Sequence, residues 1–127
     1  MTELRTLYHC EICKHLIEIV SAGAPTLICC NQPMIKVEPK TEDTGSEKHV
    51  PIIENTENGS IIKVGSIEHP MIEEHYIKFI EVLTKERVLR VELKPGQKPE
   101  IKCCTKKENI LKVREFCTVH GVWQNRP

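Results

Sequence analysis

Apolar residues in this 127-residue chain come in short runs, each closed within a few positions by Gly, Pro, Asn or a cluster of charges. Runs of that length, rich in Ile and Val and bounded by turn formers, predict β-strands. Near the start, Leu7-Tyr8-His9 leads into Cys10-Glu11-Ile12-Cys13. An apolar run over 15–20 follows, and Gly23 and Pro25 force a turn before Leu27-Ile28. A polar stretch punctuated by Pro39 and Gly45 then reads as a linker. Beyond it, strands are expected over 50–54, 61–64, 76–83, 88–93, 100–104 and 110–116. Asn58-Gly59 is a hairpin cue and Pro95-Gly96 a tight-turn cue. Only 73–84 could be mistaken for a helix. The pattern predicts an all-β protein: a small metal-knuckle domain over 1–37, a linker over 38–46 and an antiparallel β-sandwich over 47–127.

Composition narrows the function. Eighteen Lys and Arg balance eighteen Asp and Glu, so no basic field exists to recruit nucleic acid, and no apolar run is long enough for a membrane span. The N-terminus has neither the basic nor the apolar region of an export signal, and a cytoplasmic location is expected. Seven cysteines cannot all pair internally, which favours metal ligation over disulfides. A first unit of about 36 residues is too small for its apolar core alone and needs a staple.

Two groups of candidate ligands stand out. Cys10-x-x-Cys13 has the spacing with which a knuckle loop grips one ion, and Cys29-Cys30 could complete a four-sulfur site for zinc or a single iron. Neighbouring residues point apart on a strand, so a distorted tetrahedron is expected. His9 and His15 flank this knuckle and read as surface side chains. The second group is His49, His69, His75, Cys117 and His120. Cys117-x-x-His120, closed by Gly121, lets a thiolate and an imidazole reach one ion. Five donors exceed the four of a closed structural zinc site and suit iron with one open position. Lys48, beside His49, could add positive charge there.

The adjacent-cysteine knuckle resembles desulforedoxin, a small iron protein. The whole chain, through Glu47-Lys-His-Val-Pro51, His69-Pro-Met71, His75-Tyr76 and Cys117-x-x-His120-Gly-x-Trp123, resembles a desulfoferrodoxin, the two-domain form of superoxide reductase. The resemblance implies a desulforedoxin-like domain followed by an immunoglobulin-like β-sandwich, assembled as a homodimer. It also implies two irons. One is held by Cys10, Cys13, Cys29 and Cys30, where zinc is an alternative; the other has His49, His69, His75 and His120 around it and Cys117 as axial thiolate. The implied activity is one-electron reduction of superoxide to hydrogen peroxide, with electrons from rubredoxin or a similar donor. Lys48 would steer the anion and help position a proton-delivering water, and Glu47 would occupy the open site of the oxidised iron.

Two rival readings are an iron electron-transfer module without substrate chemistry and a zinc hydrolase. Hydrolytic zinc generally uses three protein ligands, which disfavours the hydrolase. Cys103-Cys104 lies outside the family pattern; on a strand one side chain would face the core and the other solvent.

Overall fold

The computed structural model describes residues 1–126; Pro127, the last residue of the expected second domain, lies outside them. The chain divides into two compact units, one over Met1–Glu38 and one from Pro39 onward. The first contains β1 (Leu7–His9), β2 (Leu16–Glu18), β3 (Ile28–Cys29), β4 (Gln32–Pro33) and β5 (Ile35–Lys36). Strands order as β2-β1-β5, with β3-β4 a separate hairpin. Its fully buried apolar side chains are Leu7, Cys10 and Ile19. Three such residues make a meagre core, as expected of a unit that leans on a metal.

The second unit holds β6 (Ile52–Thr56), β7 (Gly59–Lys63), β8 (Ile77–Thr84), β9 (Val88–Glu92), β10 (Glu100–Cys103), β11 (Ile110–Cys117) and β12 (Gly121–Gln124). A single 3-10 turn, Lys107–Asn109, precedes β11. The strands form two antiparallel sheets, β10-β7-β6 and β12-β11-β8-β9, whose inner faces share one core. Ile62 and Ile101 enter it from one sheet, and Ile77, Ile80, Val82, Val113 and Cys117 from the other. Each fully buried Ile or Val contributes about 1.5–3 kcal/mol of transfer free energy. The immunoglobulin-like sandwich expected from the sequence is therefore present. Of 73–84, the stretch that could pass for a helix, Ile77–Thr84 forms the internal strand β8. No helix among the described residues is long and apolar enough to cross a membrane.

On the outer face of the larger sheet, Arg114 and Arg90 stand opposite Glu81 on its two neighbouring strands. Arg114 places Nε 3.0 Å and a terminal nitrogen 2.8 Å from Glu81 Oε1, with both side chains buried. The hairpin cue at Asn58-Gly59 appears as a tight link between β6 and β7, with Thr56 opposite Gly59. The Pro95-Gly96 cue is a turn closed by Gln97 N–H on the Lys94 carbonyl at 3.1 Å, with Gly96 at φ +89°.

The 38–46 stretch, read from sequence as a linker, is tied to the second unit from its first residues. Lys40 bridges Trp123 in parallel fashion, its N–H on Val122 O and its carbonyl accepting from Gln124 N–H. Asp43 Oδ1 accepts the backbone N–H groups of His49 and Val50 at 2.5 and 3.1 Å. These bonds set the approach of the chain to His49.

Candidate metal centres

In the first unit, a turn between β1 and β2 carries Cys10 and Cys13, closed by Lys14 N–H on the Cys10 carbonyl and by Cys10 N–H on the His15 carbonyl. Between β3 and β4 the two turn residues, Cys30 and Asn31, both have left-handed backbones, at φ 51° and 62°. That is the conformation of a two-residue hairpin whose twist matches its strands. It also answers the difficulty of adjacent ligands: left-handed φ at Cys30 turns its side chain to the side of Cys29, and the two sulfurs lie 4.0 Å apart. The sulfurs of Cys10, Cys13, Cys29 and Cys30 all fall within 4.8 Å of one another. Hydrogen bonds from the backbone at Cys13 pull the Cys10 thiol down to about 6, whereas sharing protons with Cys13 pushes Cys29 up to about 12. One thiol is thus poised to ionise while Cys29 and Cys30 resist, as expected where closely spaced sulfurs compete for protons. His15 Nδ1 stands 3.1 Å from Cys13 Sγ, so this side chain, expected merely at the surface, touches the cluster.

In the second unit, one end of the sandwich gathers the other group. His49 precedes β6, His69 and His75 lie in the connection from β7 to β8, and Cys117 ends β11. His120 occupies the turn into β12, where Gly121 at φ +85° permits the reversal that no side-chain-bearing residue would adopt easily. Within this turn His120 N–H points at Cys117 Sγ, 3.4 Å away. Ligand atoms of His49, His69, His75 and Cys117 lie within 4.8 Å of one another, as do those of Glu47, His49, His75 and His120. Cys117 Sγ is 3.5 Å from His69 Nε2 and 3.8 Å from His120 Nδ1.

The polar atoms here lack partners that a folded protein normally supplies. His49 is 3% exposed, and neither of its ring nitrogens has a hydrogen bond among the described residues. His75 Nε2 and Glu47 Oε2 approach to 3.2 Å without hydrogen-bond geometry. Buried, unsatisfied nitrogens cost about 1–3 kcal/mol each. Burial drives the His49 imidazole down to about 4 and lowers that of His69, so both are neutral, the form that binds metals. Burial raises the Cys117 thiol, against the lowering effect of the His120 and Val119 amides. A cation bound among these groups would give His75 Nε2 and one ring nitrogen of His49 a partner and would ionise the thiol. The donors present therefore fit a metal with nitrogen ligands and one thiolate.

Around the ligands, the sandwich supplies supports. His69 Nδ1 lies 2.8 Å from the Pro70 carbonyl, which orients Nε2 toward Cys117. Trp123 stacks on His49, ring centroids 4.5 Å apart and planes 11° from parallel. Two residues before Cys117, Glu115 is fully buried with neither oxygen hydrogen-bonded among the described residues, and burial lifts its carboxyl well above the ordinary range. Lys48 directs its ammonium to the Gly45 carbonyl at 3.1 Å. Cys103 and Cys104 lie outside both groups: Cys103 is half-buried, 3.1 Å from Ser60 Oγ, and Cys104 is exposed.

A family model described as desulfoferrodoxin matches residues 41–126, and one described as desulfoferrodoxin, N-terminal domain, matches residues 2–37. The chain belongs to the desulfoferrodoxin family. It is 45% identical over 125 residues to a desulfoferrodoxin homolog of Archaeoglobus fulgidus, covering 98% of this chain and 99% of that one. A desulfoferrodoxin of Syntrophotalea carbinolica is 44% identical over 125 residues, with 98% of each covered. Among solved structures, the superoxide reductase from Treponema pallidum superposes with a TM-score of 0.76 at 28% identity, over 95% of this desulfoferrodoxin and 97% of that chain. Sequence reasoning missed Trp123, Asp43 and Lys40 as supports of the His49 and His120 segments. A lone tryptophan three residues after a candidate ligand was the available signal.

Proposed function

We propose that this desulfoferrodoxin is a superoxide reductase. The observation that carries the reading is the convergence of four imidazoles and one thiolate, with buried nitrogens unsatisfied, beside an open cleft. In this proposal His49, His69, His75, His120 and Cys117 hold one iron. Iron there supplies one electron which, with two protons, converts superoxide to hydrogen peroxide. The likeness to the Treponema pallidum superoxide reductase supports it.

The chain's own residues have distinct tasks. Neutral imidazoles and a single thiolate leave a ferrous site with net positive charge, which favours a small anion. The cleft, about 710 Å³ and lined by Glu47, His49, His120 and Trp123 among others, is far larger than a diatomic molecule. Selection for superoxide therefore rests on charge rather than fit. Glu47, its carboxylate 3.2 Å from His75 Nε2 and 3.7 Å from His69 Nε2, is placed to serve as a further oxygen donor that would compete with the substrate anion for an oxidised iron held there. Lys48 steers the anion and positions the water that delivers a proton, after exchanging its bond to Gly45 O for one toward the cleft.

Cys10, Cys13, Cys29 and Cys30 hold the second iron, with zinc the competing occupant, in a desulforedoxin-like domain over 1–37 ahead of the catalytic domain over 47–127. A rubredoxin-like donor, a homodimer and a cytoplasmic setting complete the proposal.

Metal analysis together with rapid mixing tests it. Two irons per chain, and oxidation of the histidine-bound iron by superoxide with stoichiometric peroxide, are expected. Zinc at both sites would overturn the reading, and iron that superoxide does not oxidise would leave an electron carrier.

A further inference from the structure

Lys48 was the cation expected beside the open position, but a second lysine is built into the cleft wall. Lys40 lines the cleft together with Glu47, His49, His120 and Trp123. Its backbone is fixed on both sides against β12, through Lys40 N–H on Val122 O and Gln124 N–H on Lys40 O, at 3.1 and 2.8 Å. Its ammonium donates to the His120 carbonyl at 3.0 Å and sits 5.0 Å from the centroid of the Trp123 ring. The same carbonyl accepts the Trp123 indole N–H at 3.2 Å. Trp123 in turn stacks on His49. One side chain thus touches the supports of two proposed ligands, and it brings a positive charge to the wall of the space an anion must cross.

We propose that Lys40 is a positioning and anion-guiding residue for superoxide reduction. Building on the superoxide reductase reading, it assigns Lys40 two linked effects. By holding the His120 carbonyl, Lys40 restrains the 118–120 turn and hence the direction of the His120 ring. By lying over Trp123, it gains a cation–π attraction that keeps the ammonium at the cleft rather than free in solvent. A charge held in place biases the approach of a small anion more reliably than one on a freely rotating side chain, since its position does not average out. The remaining charged groups of this wall, Glu42 and Glu47, are anionic and would repel superoxide. Lys40 offsets that repulsion in a cleft too roomy to select by shape.

The test uses the full-length, iron-loaded, reduced protein and two variants. Lys40→Gln retains a donor for the His120 carbonyl without the charge; Lys40→Arg retains both. Pulse generation of superoxide gives the association rate constant at low and high ionic strength. Lys40→Gln should lower it roughly two- to fivefold at low salt, as expected for one unit charge removed at about 5–10 Å through water-rich surroundings, and the gap from the parent should close at high salt. Lys40→Arg should restore both the rate and its salt slope. Independently of turnover, emission from Trp123, the single tryptophan, should shift in iron-free Lys40→Gln and return in Lys40→Arg. Equal rates and equal salt slopes in parent and Lys40→Gln would overturn the guiding role even if the emission shifts. An unaltered protein that forms no peroxide would overturn the reductase reading and this inference with it, a failure visible before any variant is made.

Discussion

Buried His49 makes the iron-free protein sensitive to acid in a way that can be isolated. In the folded chain its imidazole is lowered to about 4 by burial, with His69 and His120 adding repulsion; unfolded, it returns to about 6.5. Between those values the unfolded state binds one more proton than the folded state. Stability therefore rises with pH across the window, and its loss is complete once pH falls through 4. The separation is about 2.5 pH units at ~1.36 kcal/mol each, or about 3 kcal/mol. Glu115 works in the opposite sense. Its buried carboxyl is raised, so above about 4.5 the unfolded state sheds a proton that the folded state keeps, and stability falls as pH rises. The two effects overlap, and the unaltered chain can look insensitive. Glu115→Gln removes the opposing effect. Urea denaturation of iron-free Glu115→Gln from pH 7.5 to 4 should show a decline of at least about 3 kcal/mol, and adding His49→Gln should reduce it by about that amount, leaving what the lowered His69 contributes. Equal slopes with and without His49 would refute the assignment.

Three further outcomes are expected. Arg114→Leu leaves the buried Glu81 carboxylate, among the described residues, with the more distant Arg90 at 3.7 Å as its cationic partner and should cost about 3–5 kcal/mol, measured by chemical denaturation, with little change in iron content. Gly65→Ala would place a Cβ 2.7 Å from the Lys48 carbonyl, shifting the segment that carries His49; iron titration should show weakened binding at the histidine site, with the four-cysteine site unchanged. Cys117→Ser should abolish thiolate-to-iron absorption at the histidine site and superoxide reduction, while the four-cysteine chromophore persists in the visible spectrum.

The strands were legible because their runs of Ile and Val are separated by strong turn formers; β9, expected over 88–93, ends one residue earlier at Glu92. β12 was not, since Gly121–Gln124 is only four residues long and lacks a run of Ile and Val to mark it. The nine candidate ligands were legible because Cys and His are recognisable by type, and the fold brings their ligand atoms together in two regions. Left-handed Cys30 was invisible, as the sequence suggested that adjacent cysteines diverge; only the hairpin conformation brings them together. Lys40 and Asp43 lay in a polar stretch that composition assigns to a linker, and neither charge nor hydropathy reveals which strand edge such a segment will cover. Glu115 carries no signal of its burial in the sequence; only the register of β11 turns it inward.

The turn at 117–121 joins two neighbouring strands, but its partners at the histidine site come from far along the chain, His49 before the first strand of the sandwich and His69 and His75 from the connection between the sheets. An ion bound by all of them would act as a cross-link closing loops of very different lengths at once, and it would remove chain entropy mainly at that pole. Iron content would then govern the durability of one end of the molecule. When iron is scarce, that end would open and be cut or exchanged first, while the Arg114–Glu81 side of the larger sheet stays closed.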